Sequence, residues 1–170
     1  MIALAQLNTT DRSAFVDAVG DVFEHAPWVA QHAYAARPFA SVAALHAAMM
    51  QAVRAAPREK QLAFLRGHPE LAGKVARAGA MTADSKGEQG GLGLDRLDDT
   101  DFARFERANA AYAKKFGFPF IVCVRLHESA ESILAAFEQR VGNDAETEFA
   151  AALTEIGHST RLRLEDRVTS

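Results

Sequence analysis

The residues best suited to chemistry lie in two short stretches, Gly67-His68-Pro69-Glu70-Leu71-Ala72 and Ser85-Lys86-Gly87-Glu88-Gln89. They place an imidazole, a carboxylate, an amide and a hydroxyl in and around turns marked by glycine and proline. An imidazole trades protons near neutral pH. A carboxylate makes charge-assisted hydrogen bonds, and an amide both donates and accepts. These are the parts of a small polar pocket built for acid–base work on a nitrogen-rich small molecule. Each part also has a plainer reading. A histidine before a proline marks a helix boundary with its ring free to face a cleft, yet it serves equally as a helix N-cap or a surface residue. Ser85-x-x-Glu88 is a capping-box pattern. Gly90-Gly91-Leu92-Gly93 behind it is poor helix material, and its glycines would let backbone amides approach a ligand closely.

Arg163 is a third candidate. In the last helix Phe149, Leu153, Ile156 and Thr160 mark an inward stripe, and at ~100° per residue Arg163 falls on it. Arg161 falls on the flank and His158 on the opposite side. A buried guanidinium needs an anion, internal or bound. The alternative is an arginine snorkelling near a helix C-terminus, where the macrodipole favours it. Other chemistries lack support. Gly87 to Gly93 fits neither the dinucleotide fingerprint nor the P-loop. The six histidines are scattered, with no HExxH or histidine–cysteine cluster to hold a metal. Cys123, inside an apolar run, reads as a small core residue.

The elements that must position these groups are helical. Thr10-Asp11 and Ser41 offer N-caps, and Pro27 and Pro57 suit first turns. Gly67 ends the helix before His68, and Pro69 suits the first turn of a short helix through Ala78. Residues 79 to 99, rich in glycine, are the least regular part. A helix opened by Thr100 or Asp101 carries Phe102, Phe105, Asn109 and Tyr112 on one stripe and ends at Gly117. Phe118 to Val124 is apolar throughout, and periodicity leaves strand and buried helical turn both open. Helices from about Ser129 to Val141 and from Asn143 or Asp144 to about Val168 finish the chain. The expectation is an all-α fold, one compact domain over residues 1–170, a bundle of about six to eight helices.

Bulk properties narrow the partners. A net charge of −3 over 170 residues gives no basic surplus to displace counterions from nucleic acid. One cysteine rules out an internal disulfide and fits a reducing compartment. No apolar run is long enough to span a membrane, and the N-terminus lacks a basic signal-peptide region. The expected setting is cytoplasmic.

The ordered set Phe15…Trp28-Val29-Ala30, Arg37-Pro38-Phe39, His68-Pro69-Glu70-Leu71-Ala72, Ser85-x-x-Glu88-Gln89, Asn109-x-x-Tyr112, Phe116-Gly117-Phe118-Pro119-Phe120-Ile121 and Arg161-Leu162-Arg163-Leu164 resembles the 2-oxo-4-hydroxy-4-carboxy-5-ureidoimidazoline (OHCU) decarboxylase family. The likeness runs from about Leu7 to Val168. It implies an all-α carboxy-lyase that forms (S)-allantoin in urate degradation, a homodimer using neither metal nor organic cofactor. It places the catalytic histidine on His68; the catalytic part expected of Glu88, to hold His68 or the ureido N–H groups by charge-assisted bonds, is a mechanistic reading added to it. It places substrate contacts on Pro69, on Ser85, Lys86, Gly87, Glu88 and Gln89, and on Phe120, Ile121, Val122, Cys123 and Val124, the last five largely through backbone groups. The C-terminal arginine of the family falls most naturally on Arg163, with Arg161 the alternative anion contact. Gly87 stands where relatives commonly carry a larger, often charged residue, and Gly67 replaces a frequent alanine. The rival reading is a non-catalytic helical module that binds a ureide or docks on another enzyme of the pathway. Such a binder has little need of the imidazole.

Overall fold

The structure is a computed structural model and describes residues 1–72 and 81–170. Among these residues there are nine α-helices, two 3-10 turns and two strands of two residues each. The all-α class therefore holds. The helices outnumber the six to eight expected because one forms at the N-terminus, Leu4–Thr9 (α1), and another forms inside the glycine-rich stretch. The expected helix from Pro69 to Ala78 lies largely outside the described residues, and Pro69 to Ala72 are not helical. Contacts gather the chain into two compact units, Met1–Phe64 with Thr160–Ser170, and Leu65–Ser159. No helix among the described residues is long and apolar enough to cross a membrane.

In the first unit, Ile2–Ala3 (β1) pairs in parallel with Val168–Thr169 (β2), Ile2 opposite Val168. Arg12–Val19 (α2) starts at Asp11, whose carboxylate accepts from the Ala14 amide. It ends well before His25-Ala26-Pro27, because Val22, Phe23 and Glu24 are all buried. Three consecutive buried residues require a turn, since a helix facing solvent buries only one stripe. Pro27–Ala33 (α3) has proline in its first turn and runs into the 3-10 turn Tyr34–Ala36. Val42–Ala55 (α4) is capped by Ser41, which accepts from the Ala44 amide at 3.0 Å. Its last carbonyls, on Val53 and Arg54, accept from the Gln61 side chain at 2.9 and 3.0 Å, an answer to the orphan carbonyls of a helix end. Gln61 belongs to Arg58–Arg66 (α5). The core of this unit is aromatic: Phe15 meets Tyr34 edge-on at 5.5 Å, and Trp28 meets Phe64 at 6.2 Å.

The second unit holds Ala83–Gly91 (α6), Asp99–Phe116 (α7), Ala130–Arg140 (α8) and most of Ala145–Glu165 (α9). Asp98 caps α7, Asp99 and Asp101 sit in its first turn, and Lys114 and Lys115 sit in its last. That arrangement opposes the macrodipole at both ends. Gly117 closes the helix in the left-handed region, φ 76°, where glycine carries no steric penalty. Phe105, Asn109 and Tyr112 are buried as the stripe predicts. Phe118 to Cys123 is neither strand nor helix, and a 3-10 turn follows at Val124–Leu126.

Asp144 opens α9 by accepting from the Thr147 amide at 2.9 Å and the Thr147 hydroxyl at 2.7 Å. These bonds hold its carboxyl below the usual range, the backbone bond most strongly. A folded value below the unfolded one means the stabilisation is complete above the unfolded value and is lost as pH falls through the folded one. The first turn of α9 is thus expected to fray in acid and stay closed at neutral pH. Amide exchange at Glu146 and Thr147 would show this, and Asp144→Asn should flatten the acid response.

Candidate active site

The turn that bears His68 begins where α5 ends. The His68 amide donates to the Leu65 carbonyl at 3.2 Å, and Arg66 Nε donates to the Gly117 carbonyl at 2.9 Å. His68 and Pro69 are half-buried, Glu70 is exposed, and Leu71 and Ala72 are buried. Two buried amide side chains then fix the turn. Asn109 Nδ2 donates to the Leu71 carbonyl at 2.9 Å, and Gln89 Oε1 accepts from the Ala72 amide at 3.0 Å. Ala72 is held at φ 51°, a left-handed conformation uncommon for a residue with a Cβ.

Ser85 is not the cap of its helix. Thr82 takes that place, its hydroxyl accepting from the Ser85 amide at 3.4 Å, so Ser85 and Glu88 do not form a capping box. Ser85 and Gln89, one turn apart, are buried. Lys86 and Gly87 are exposed and Glu88 is half-buried. Gln89 also donates from Nε2 to Met81 Sδ at 3.3 Å, so both ends of its amide are engaged. This anchored face explains a helix where glycine content predicts a loop, because tertiary packing outweighs propensity in short helices. A Cβ built at Gly87 meets nothing within 4 Å, so an alanine there would fit without displacing a neighbour. Gly87→Ala should raise stability by about 0.5–1 kcal/mol, read as a higher denaturation midpoint.

The Phe120 to Val124 segment approaches the same helix, with the Val124–Leu126 turn packing against α6. All five residues from Phe120 to Val124 are buried. Phe120 stacks on Phe137 at 3.8 Å, beneath the Arg140 guanidinium at 4.5 Å. Arg140 Nη1 donates to the Ile121 carbonyl at 2.7 Å, and the Cys123 amide donates to Glu155 Oε2 at 2.8 Å. Burial pushes the Cys123 thiol up, a hydrogen bond with Ser159 opposes this, and the negative charges of Glu88 and Glu155 add to it. Cys123 is accordingly a protonated core thiol, and the field of Glu88 reaches the segment. Three stretches separated in sequence thus meet within one unit: the His68 turn, the Glu88 helix and the segment from Phe120.

Arg163 is buried in the other unit, where its guanidinium lies 3.2 Å from Glu24 Oε2 and 3.4 Å from the Val22 carbonyl. Arg161, on the flank, is exposed and pairs with Glu165 at 2.9 Å. The inward placement of Arg163 and the outward one of Arg161 match the stripe. Glu24, Glu155 and the Arg140–Glu148 pair are contributors that sequence reasoning misses. Glu148 and Glu155 adjoin stripe residues Phe149 and Ile156, and an acid bordering an apolar stripe was the available signal. Glu24 sits in an irregular turn and carried no periodic signal.

Residues 8–165 match the family model described as OHCU decarboxylase. The chain is 43% identical over 169 residues to 2-oxo-4-hydroxy-4-carboxy-5-ureidoimidazoline decarboxylase of Haloferax volcanii, covering 99% of this chain and 98% of that one. It is 38% identical to the uric acid degradation bifunctional protein of Bacillus subtilis, covering 99% of this chain and 33% of that longer protein. Among solved structures it superimposes on (S)-allantoin synthase with a TM-score of 0.75 at 25% identity, covering 98% of this chain and 54% of that one. The helical frame together with these family and relative matches defines a helical carboxy-lyase. The chain belongs to the OHCU decarboxylase family.

Proposed function

We propose that the chain decarboxylates 2-oxo-4-hydroxy-4-carboxy-5-ureidoimidazoline to (S)-allantoin in urate degradation, with His68 as the acid–base group. The observation that carries this is the Gln89–Ala72 hydrogen bond, which joins the turn of His68 to the helix of Glu88, in a chain matched by the family over almost its whole length. When the carbon–carboxylate bond breaks, carbon dioxide leaves and the electron pair passes into the conjugated imine, whose ring nitrogen takes a proton. The hydroxyl then gives up its proton to become the ring carbonyl as the adjacent ureido-bearing carbon is protonated. The chain must orient the ring, stabilise developing charge and deliver that proton to one face. His68 exchanges the proton. Glu88 holds His68 or the ureido N–H groups by charge-assisted bonds.

Pro69, Ser85, Lys86, Gly87 and Gln89 border the ureide, and the backbone of Phe120, Ile121, Val122, Cys123 and Val124 reads its polar edge. Arg163, its head group steadied by Glu24, anchors substrate oxygens through contacts that persist into the transition state. The working unit is the single domain 1–170, a homodimer as the family resemblance implies, in the cytoplasmic setting that its composition suggests. The test offers freshly generated substrate to the purified chain and follows (S)-allantoin by circular dichroism. Turnover with excess S product is expected. Binding of allantoin without product formation would instead support a non-catalytic ureide-binding module.

A further inference from the structure

We propose that the Arg140–Glu148 ion pair, whose carboxylate is fully buried and whose guanidinium is largely so, together with Glu155, is a positioning device that fixes the main chain of Phe120 to Val124 for ligand recognition. The inference rests on the reading of that segment as substrate-binding. A buried segment outside any helix or sheet has no ladder to hold its peptide groups, so other parts of the chain must fix them. Here side chains do it. Arg140 takes the Ile121 carbonyl at 2.7 Å, and Glu155 takes the Cys123 amide at 2.8 Å. Between these two anchors both backbone groups of Val122 have no hydrogen-bond partner among the described residues, and neither has the Ile121 amide just before them. Buried backbone groups are rarely left so. The two ends of the segment are clamped and its middle is open for a polar ligand edge.

The clamp is itself held rigidly. Glu148, fully buried, accepts from Arg140 Nη2 at 2.6 Å, Arg140 Nε at 3.0 Å and Asn143 Nδ2 at 2.8 Å, and also from the Tyr112 hydroxyl. Both carboxylate oxygens are engaged, and the guanidinium is held at two of its nitrogens. Its remaining nitrogen reaches Ile121 while its plane covers Phe120. A buried ion pair is a poor way to gain stability, since apolar replacements are often as good. A planar fork that grips a carboxylate on one side and a carbonyl on the other is a good way to gain geometry.

The experiment compares wild type with Arg140→Met/Glu148→Gln, which removes both charges while leaving an acceptor for Tyr112 and Asn143, and with Arg140→Lys, Glu155→Ala and Glu155→Gln. KM and kcat for fresh substrate and the inhibition constant of (S)-allantoin are measured beside thermal midpoints. A misplacement of about 1 Å costs ~10²-fold in rate. The double variant, Arg140→Lys and Glu155→Ala should therefore lose kcat/KM to that order, with KM and the allantoin constant rising together and the pH profile unmoved. Glu155→Gln, which keeps an oxygen for the Cys123 amide, should recover most of the loss. If the double variant does not fold, Arg140→Lys and the two Glu155 variants carry the test. Folded variants whose KM and allantoin constant match wild type, with activity loss tracking only the fraction unfolded, overturn the positioning role while the decarboxylase reading stands. A wild-type chain that neither turns over nor binds allantoin overturns both.

Discussion

His68→Ala is expected to retain the fold and to lose (S)-allantoin formation by about 10²–10⁴-fold, the usual contribution of a general acid–base group. The turn should survive the loss of the ring because it is held through the Leu71 carbonyl and the Ala72 amide. Glu88→Ala should fall by a similar factor. Its helix is anchored by Ser85 and Gln89 on the buried face, and Glu88 itself is only half-buried. The measurement is stereoselective turnover by circular dichroism, with far-UV spectra and thermal midpoints as fold controls. Near-wild-type production of the S enantiomer by His68→Ala would remove the imidazole from the mechanism.

The second large effect concerns stability. Arg163→Met takes the positive partner from Glu24, a carboxylate that is 2% exposed. Breaking one side of a buried pair costs about 3–5 kcal/mol, because the remaining charge stays desolvated. Arg161→Ala is the matched control on the same helix. Its pair with Glu165 is nearly half exposed on both sides, and pairs of that kind contribute about 0.2–1 kcal/mol. Denaturant midpoints should therefore separate two arginines that stand two positions apart. Turnover per folded molecule supplies the second readout. If Arg163 also anchors substrate oxygens, Arg163→Lys should lose activity beyond its loss of folded protein. If Arg163→Met proves no more destabilising than Arg161→Ala, the buried pair is not the structural element described above.

Helix stripes and caps were legible because they depend on local rules. Ser41 caps where its chemistry predicts, Asp11 is the cap within Thr10-Asp11, and Gly117 takes the left-handed stop, whereas α7 opens from Asp98 and not from Thr100 or Asp101. The stripe of α7 and the inward turn of Arg163 followed from angular spacing alone. Helix α6 was not legible, because glycine content argues locally for a loop while burial of Ser85 and Gln89 decides otherwise. The form of Phe118 to Cys123 was hidden for a related reason. Its peptide groups are fixed by Arg140 and Glu155, which follow it in sequence by 19 and 32 residues, and no local pattern announces such a bond. Of the site, the residue types were readable and their joining was not. Gln89 announced itself as a ligand-binding amide, yet within the structure it first ties Ala72 to Met81.

Ala72 carries the last point. An alanine kept at φ 51° bears a penalty in every folded molecule, and such penalties persist only where neighbours over-determine the conformation. Glycine would lift the strain and at the same stroke widen the choice of paths open to the chain. The more comfortable hinge would be the vaguer one. Position 72 therefore sets durability against aim, and any effort to harden this protein against heat by relaxing that bend should blur where the neighbouring imidazole points.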